Sequence, residues 1–242
     1  MKYLRLFGLM CCWLTVCRAG ALELIVHVAP LPPYVLEGGR RGIASDIIAS
    51  ALASQGVKTK FVLSNNKRME MEVKNGSADA GFAGIPTDDA ELFFFDPVIE
   101  FENVAVTLSS QKLRLSRVAD FAGQRVIAFP NTKRVLGAEF AAAVSRSTYY
   151  VEVGKQGSQL PMLDASRGDL IVLDRRAFLY FSQLLHGEQD SRQRYTLHAV
   201  FKPVQRLLGF RNSEQRDRFN LGLKAIRQNG DYAAIVRSYT GE

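Results

Sequence analysis

Twice along this chain, short β-branched runs alternate with segments of helical spacing in the order strand, helix, strand, helix, strand. The first set occupies residues 22–84 and the second residues 124–174. Such alternation is the pattern of an open α/β sheet with parallel strands, so the expectation is two such units in succession. In the first set, residues 22–28 form an apolar run bounded by Pro30. Ile47, Ile48, Ala51 and Leu52 then share one face of a helix over 43–55 that Gly56 stops. Residues 58–63 give a second strand, 66–75 a short helix with Met69 and Val73 inward, and 79–84 a third strand. The second set repeats the architecture and not the sequence. Strands are expected again over 104–108, 195–200 and 204–210, with the last run returning toward the first unit.

In open sheets of this kind, ligands sit off the carboxyl ends of the strands. Two loops there carry unusual chemistry. After the first strand come Pro30, Pro32 and Pro33, which stiffen the backbone and hold Tyr34 in place. An aromatic on such a loop is placed to form a flat wall for a ligand. After the third strand comes Gly84-Ile85-Pro86-Thr87-Asp88-Asp89, where glycine marks a close approach of backbone to a ligand or neighbour.

The first 21 residues do not belong to the fold. Lys2 and Arg5 precede a nearly uncharged run over 6–17, and Ala19-Gly20-Ala21 supplies small residues for cleavage. This is the plan of a secretory signal peptide; the run is too short for a comfortable membrane span. All three cysteines, Cys11, Cys12 and Cys17, lie in that leader. The mature chain therefore has no disulfide, thiolate nucleophile or cysteine-held metal. The formal charge of +7 also shrinks: without Lys2, Arg5 and Arg18 there are 28 basic residues against 24 acidic, a net +4. The basic residues are scattered, without the clustering that nucleic-acid binding needs. His27, His186 and His198 lack ligand spacing, so neither a metal nor another cofactor is expected.

Seven fragments, in order, resemble the periplasmic solute-binding proteins of polar-amino-acid ABC importers, family 3. Leu31-Pro32-Pro33-Tyr34 stands where that family has Tyr-Pro-Pro-Phe, and Gly42-Ile43-Ala44-Ser45-Asp46-Ile47 for Gly-Phe-Asp-Val-Asp-Leu. Asn75-Gly76-Ser77-Ala78-Asp79, Phe94-Phe95-Asp96-Pro97, Phe121-Ala122-Gly123-Gln124-Arg125-Val126, residues 169–174 and Asn229-Gly230-Asp231-Tyr232 continue the match. The resemblance implies a two-lobed α/β protein whose lobes are joined by two crossing strands and close on a solute. The expected divisions are a signal peptide over 1–21, lobe one over 22–108, lobe two over 109–202 and a return to lobe one over 203–242, with the crossing at 109–112. It also implies a contact set: Tyr34 stacking on the solute, Gly84, Ile85 and Thr87 offering backbone and hydroxyl groups, Thr132 and Lys133 adding donors, and Asp174 taking an ammonium. The implied role is non-catalytic binding of a small polar solute for an inner-membrane ABC permease, by a monomer in the periplasm.

The family's Thr-Pro-Glu-Arg meets Pro86-Thr87-Asp88-Asp89-Ala90 here, and the carboxylate-clamping arginine is absent. Between Lys74 and Lys112 there is no lysine or arginine at all. An aspartate such as Asp88 would repel a carboxylate that arginine grips with a planar fork. Either Lys133 supplies the cation from lobe two, or the solute is cationic and is read by Asp88, Asp89 and Asp174. Two other outputs share the scaffold: a soluble sensor module for a receptor, and a cyclohexadienyl dehydratase-like enzyme. With Tyr34 and Asp174 reserved for a solute, replacing either with alanine is expected to leave the unliganded melt nearly unchanged.

Overall fold

The computed structural model describes residues 22–82, 91–94 and 96–240, without the side chains of 188–192. Gly84, Ile85, Thr87 and Asp88, like the leader over 1–21, lie outside the described residues.

The first unit opens with β1 (Glu23–Val28), α1 (Ile43–Ala53), β2 (Lys58–Leu63), α2 (Asn66–Asn75) and β3 (Ala80–Phe82). β1 pairs in parallel with both β2 and β3. Leu24, Val26 and Val28 alternate onto one face and enter the main core with Ile43, Ile47, Ile48 and Leu52 of α1. Ile25 points the other way, onto Met69 and Val73 of α2. Asn65 caps α2 through its side chain, and Gly76 ends it in the left-handed region.

The chain then leaves through β4 (Ile99–Phe101) and continues as β5 (Asn103–Leu108). The second unit follows as β6 (Arg125–Ala128), α3 (Thr132–Val144), β7 (Tyr149–Glu152), α4 (Gln159–Asp164), β8 (Leu170–Asp174), α5 (Arg175–Arg194) and β9 (Tyr195–His198). β10 (Val204–Arg206) and β11 (Leu208–Phe210) lead back, and α6 (Ser213–Gln228) and α7 (Asp231–Thr240) finish the chain. The second sheet has the order β7-β6-β8-β5-β9 and the first β11-β3-β1-β2. In β8, Leu170 and Val172 enter one core while Ile171 and Leu173 enter another on the opposite face. A strand buried on both sides needs such an unbroken apolar run.

Between the sheets, β4 and β10 pair antiparallel, Val204 opposite Phe101 and Arg206 opposite Ile99. These are the two crossing strands. They correct the expected crossing point. β5 pairs with β8 and β9 in the second sheet, so it does not close the first unit at residue 108, and 109–111 form a 3-10 turn rather than the crossing segment. Pairing with strands some 70 and 90 residues later in the chain, as Asn103 with Asp174 and Leu108 with Tyr195, sets this assignment. α6 returns to pack on α1 at Gly222, where a Cβ would stand 1.9 Å from the Ala51 carbonyl oxygen.

Candidate functional site

Where the two lobes meet, a cavity of about 220 Å³ lies off the carboxyl ends of β1, β6 and β8. That is below the roughly 300–1,000 Å³ of drug-sized pockets, a size for a small solute. Lobe one contributes Leu31, Pro32 and Tyr34 from the loop after β1, and Asn66 from the start of α2. Lobe two contributes Phe129, Pro130, Asn131, Arg134 and Val135 around the start of α3, with Asp174 and Ala177. The crossing segments contribute Phe101, Asn103 and Arg206.

The Tyr34 loop is rigid for backbone reasons. Leu31 and Val35 exchange both backbone hydrogen bonds at 2.9 Å. Ile43 and Ala44, the first residues of α1, donate their N–H groups to the Pro33 and Tyr34 carbonyls at 3.0 and 2.9 Å. Gly42 makes this approach possible: its φ is +126° and a Cβ there would stand 2.4 Å from the Tyr34 carbonyl oxygen.

Tyr34 is not an open wall. Its ring is 1% exposed and stacks on Phe101 at 4.1 Å between centroids, with 27° between planes. Its hydroxyl donates to Asp174 Oδ1 at 2.7 Å, from one lobe to the other. On the far side of the stack, the Arg206 guanidinium lies 4.6 Å from the Phe101 centroid. Tyr34, Phe101 and Arg206 thus form one layered wall.

Asp174 is 5% exposed and caps α5 through the N–H groups of Arg176 and Ala177. Oδ1 accepts from Tyr34 and from the N–H groups of Arg176 at 2.9 Å and Ala177 at 3.1 Å. Oδ2 accepts from the Glu102 N–H at 2.9 Å. Burial is the largest influence on this carboxyl and pushes it up, against the Tyr34 hydroxyl and the backbone donors. Burial and the neighbouring Asp174 push the Tyr34 hydroxyl up as well.

Thr132 and Lys133 are placed differently from Tyr34 and Asp174. Neither lines the cavity. The Thr132 hydroxyl donates to the Phe129 carbonyl, and Lys133 Nζ lies 4.5 Å over the Tyr150 ring. The start of α3 is engaged by Glu152, whose Oε2 accepts from the Asn131 N–H at 2.7 Å. Burial pushes the Glu152 carboxyl up most strongly of any single influence. The Tyr150 hydroxyl and the backbone of Asn131, Lys133 and Thr132 more than offset it, and the carboxyl lies below its usual range.

The cation in the cleft comes from the next residue and from the crossing strand. Arg134 lines the cavity, and so does Arg206. The Arg206 Nε and the Asn103 Nδ2 are buried without a hydrogen-bond partner. Burial lowers the Arg206 guanidinium, and the like charge of Arg134 adds to that; Asp174 opposes both. Phe101, Asn103, Arg134 and Arg206 are not among the contact residues expected from the sequence. A signal was present for two of them: Arg134 belongs to the basic pair after Asn131, and Arg206 is the one charge in the returning run 204–210.

The profile of the bacterial extracellular solute-binding proteins, family 3, matches residues 24–242. This chain belongs to that family. No match was found among curated protein sequences. Solved structures similar to this solute-binding protein include the GluR0 ligand-binding core in complex with L-glutamate, at 17% identity and a TM-score of 0.72. That similarity covers 91% of this chain and 99% of the other. A polar amino acid ABC uptake transporter substrate-binding protein from Streptococcus thermophilus is 19% identical with a TM-score of 0.66, over 91% of this chain and 86% of that one. A histidine kinase sensor domain with similarity to periplasmic binding proteins is 17% identical with a TM-score of 0.70, over 91% and 97%. At these identities the likeness establishes the two-lobed fold. Among the described residues, no helix is long and apolar enough to cross a membrane.

Proposed function

We propose that this solute-binding protein is exported to the periplasm by cleavage of residues 1–21, binds a small polar solute between its lobes, and presents the closed form to an inner-membrane ABC permease. One observation carries this reading. The interlobe cavity is lined from both lobes and from the crossing strands, and two arginines, Arg134 and Arg206, are among its lining residues. The family's general role and the resemblance to an ABC uptake protein point the same way.

A non-catalytic role is the second part of this proposal, and the described lining supports it. Among its described lining residues there is no histidine, and the one carboxylate, Asp174, is tied up by four donors. A general acid or base needs a free proton site within reach of substrate. The test is a thermal-shift screen of amino acids, polyamines and small organic acids. A solute at 100 times its Kd adds about 2.7 kcal/mol to folding stability. A clear rise with one chemical class and no turnover supports the reading; no rise with any member opposes it.

A further inference from the structure

The cleft's charges say which solute fits. Two guanidinium groups, those of Arg134 and Arg206, line the same small cavity. Among the described residues neither has a carboxylate within ion-pairing distance. Arg206 is held in place by its stack on Phe101, 4.6 Å from the ring centroid, so its fork is fixed in direction. Beside it, Asn103 is 4% exposed and its Nδ2 has no acceptor. Arg134, Arg206 and Asn103 thus line one cavity, with the two cations close enough for the charge of Arg134 to act on Arg206.

Among the described lining residues the one carboxylate is nearly saturated. A carboxylate has about four lone-pair sites. Asp174 has four donors on it already, three at Oδ1 and one at Oδ2. It is the one acidic residue among the described lining residues. Among the described lining residues an ammonium finds no second carboxylate, only amide side chains, those of Asn66, Asn103, Asn131 and Gln156. A carboxylate finds two arginines, Arg206 and Arg134, on the walls of the same cavity. The apolar lining of Leu31, Phe129 and Val135 suits a short carbon chain between polar ends.

We propose that Arg206, with Asn103 and Arg134, forms the carboxylate clamp of this cleft, moved from the loop after β3 to the returning crossing strand, and that the solute is a small organic carboxylate whose recognition does not require an ammonium group. This inference rests on the binding reading above and narrows its solute class. It also gives the clamp a mechanical role. Arg206 sits on one of the two strands that join the lobes, so a bound carboxylate would tie that crossing strand to Arg134 of lobe two.

The experiment titrates succinate, glutarate and glutamate, and the matched diamines putrescine and cadaverine, into the mature protein by calorimetry and thermal shift. The same titrations follow on Arg206→Gln and Arg134→Gln. Dicarboxylates are expected to bind and diamines not. Arg206→Gln should weaken binding about 30-fold or more, the cost of removing one partner of a buried charge pair. Arg134 is exposed, so Arg134→Gln keeps the fold and should weaken binding about fivefold. Glutarate should bind within about tenfold of glutamate. The clamp is overturned if diamines bind and carboxylates do not, if glutamate binds and glutarate does not, if no carboxylate binds, or if both variants bind as the wild type does. Each result leaves the broader binding reading standing so long as some member of the wider screen raises the melt.

Discussion

The Tyr34 hydroxyl donates to Asp174 Oδ1 at 2.7 Å across 140 residues of chain, and this one bond ties the proline-rich loop of lobe one to the helix start of lobe two. Both partners are buried, at 1% and 5% exposure. The pair is therefore part of the folded framework, which corrects the expectation that alanine at either site leaves the unliganded melt nearly unchanged. Tyr34→Phe keeps the stack on Phe101 and removes only the hydroxyl. It should lower folding stability by about 1–2 kcal/mol, because Asp174 keeps its backbone donors. Asp174→Ala should cost about 2–4 kcal/mol, since it uncaps α5 and leaves the Tyr34 hydroxyl unpartnered. Urea midpoints of the three proteins decide this.

Gly42 allows the loop to close on α1. Its φ of +126° is a region L-residues rarely enter, and a Cβ would meet backbone at 2.4 Å. Gly42→Ala should therefore destabilise by about 2 kcal/mol or more. Gly38, also at positive φ but with open space around its Cβ position, should tolerate alanine better. Thermal melts of the two variants side by side separate the clash from the backbone strain they share.

Asp169 sets an acid-sensitive contact in lobe two. It pairs with Arg125 at 2.7 Å and accepts from the Arg125 backbone N–H at 2.7 Å. The Arg125 side chain is the largest influence and holds this carboxyl below its ordinary 3.8. A carboxyl depressed in the folded state stabilises above its unfolded value, and that contribution is lost as the pH falls through the folded one. Asp169→Asn should cost about 1 kcal/mol near pH 7, and the difference from wild type should shrink as the pH drops below 3.8. A series of melts from pH 7 to pH 2.5 measures it.

The strands and helices of both lobes were legible in the sequence because their signals are local. A run such as 170–173 is apolar without a break, and the structure buries it on both faces. The 99–101 strand is too short to announce itself, and nothing local tells β5 which sheet it joins; pairing with β8 and β9 decides that. At the site, Tyr34 stood out on its proline-stiffened loop and Asp174 through the family resemblance, but their bond to each other did not, since it joins residues 140 apart in the chain. Lys133 was a reasonable cation to expect, yet the turn of α3 sends it over Tyr150 and brings Arg134 to the cleft instead. Arg206 was hidden because a crossing strand gives no sign in sequence of which side faces the gap.

The most direct test fills the gap itself. Val135 is half-buried on α3 and lines the cavity, so Val135→Trp places an indole where the solute would lie. Thermal melts of wild type and Val135→Trp are compared with and without millimolar glutarate. The wild-type midpoint should rise and the variant's should not, while the variant's own unliganded melt remains cooperative. An equal rise in both proteins, or none in the wild type, contradicts binding between the lobes.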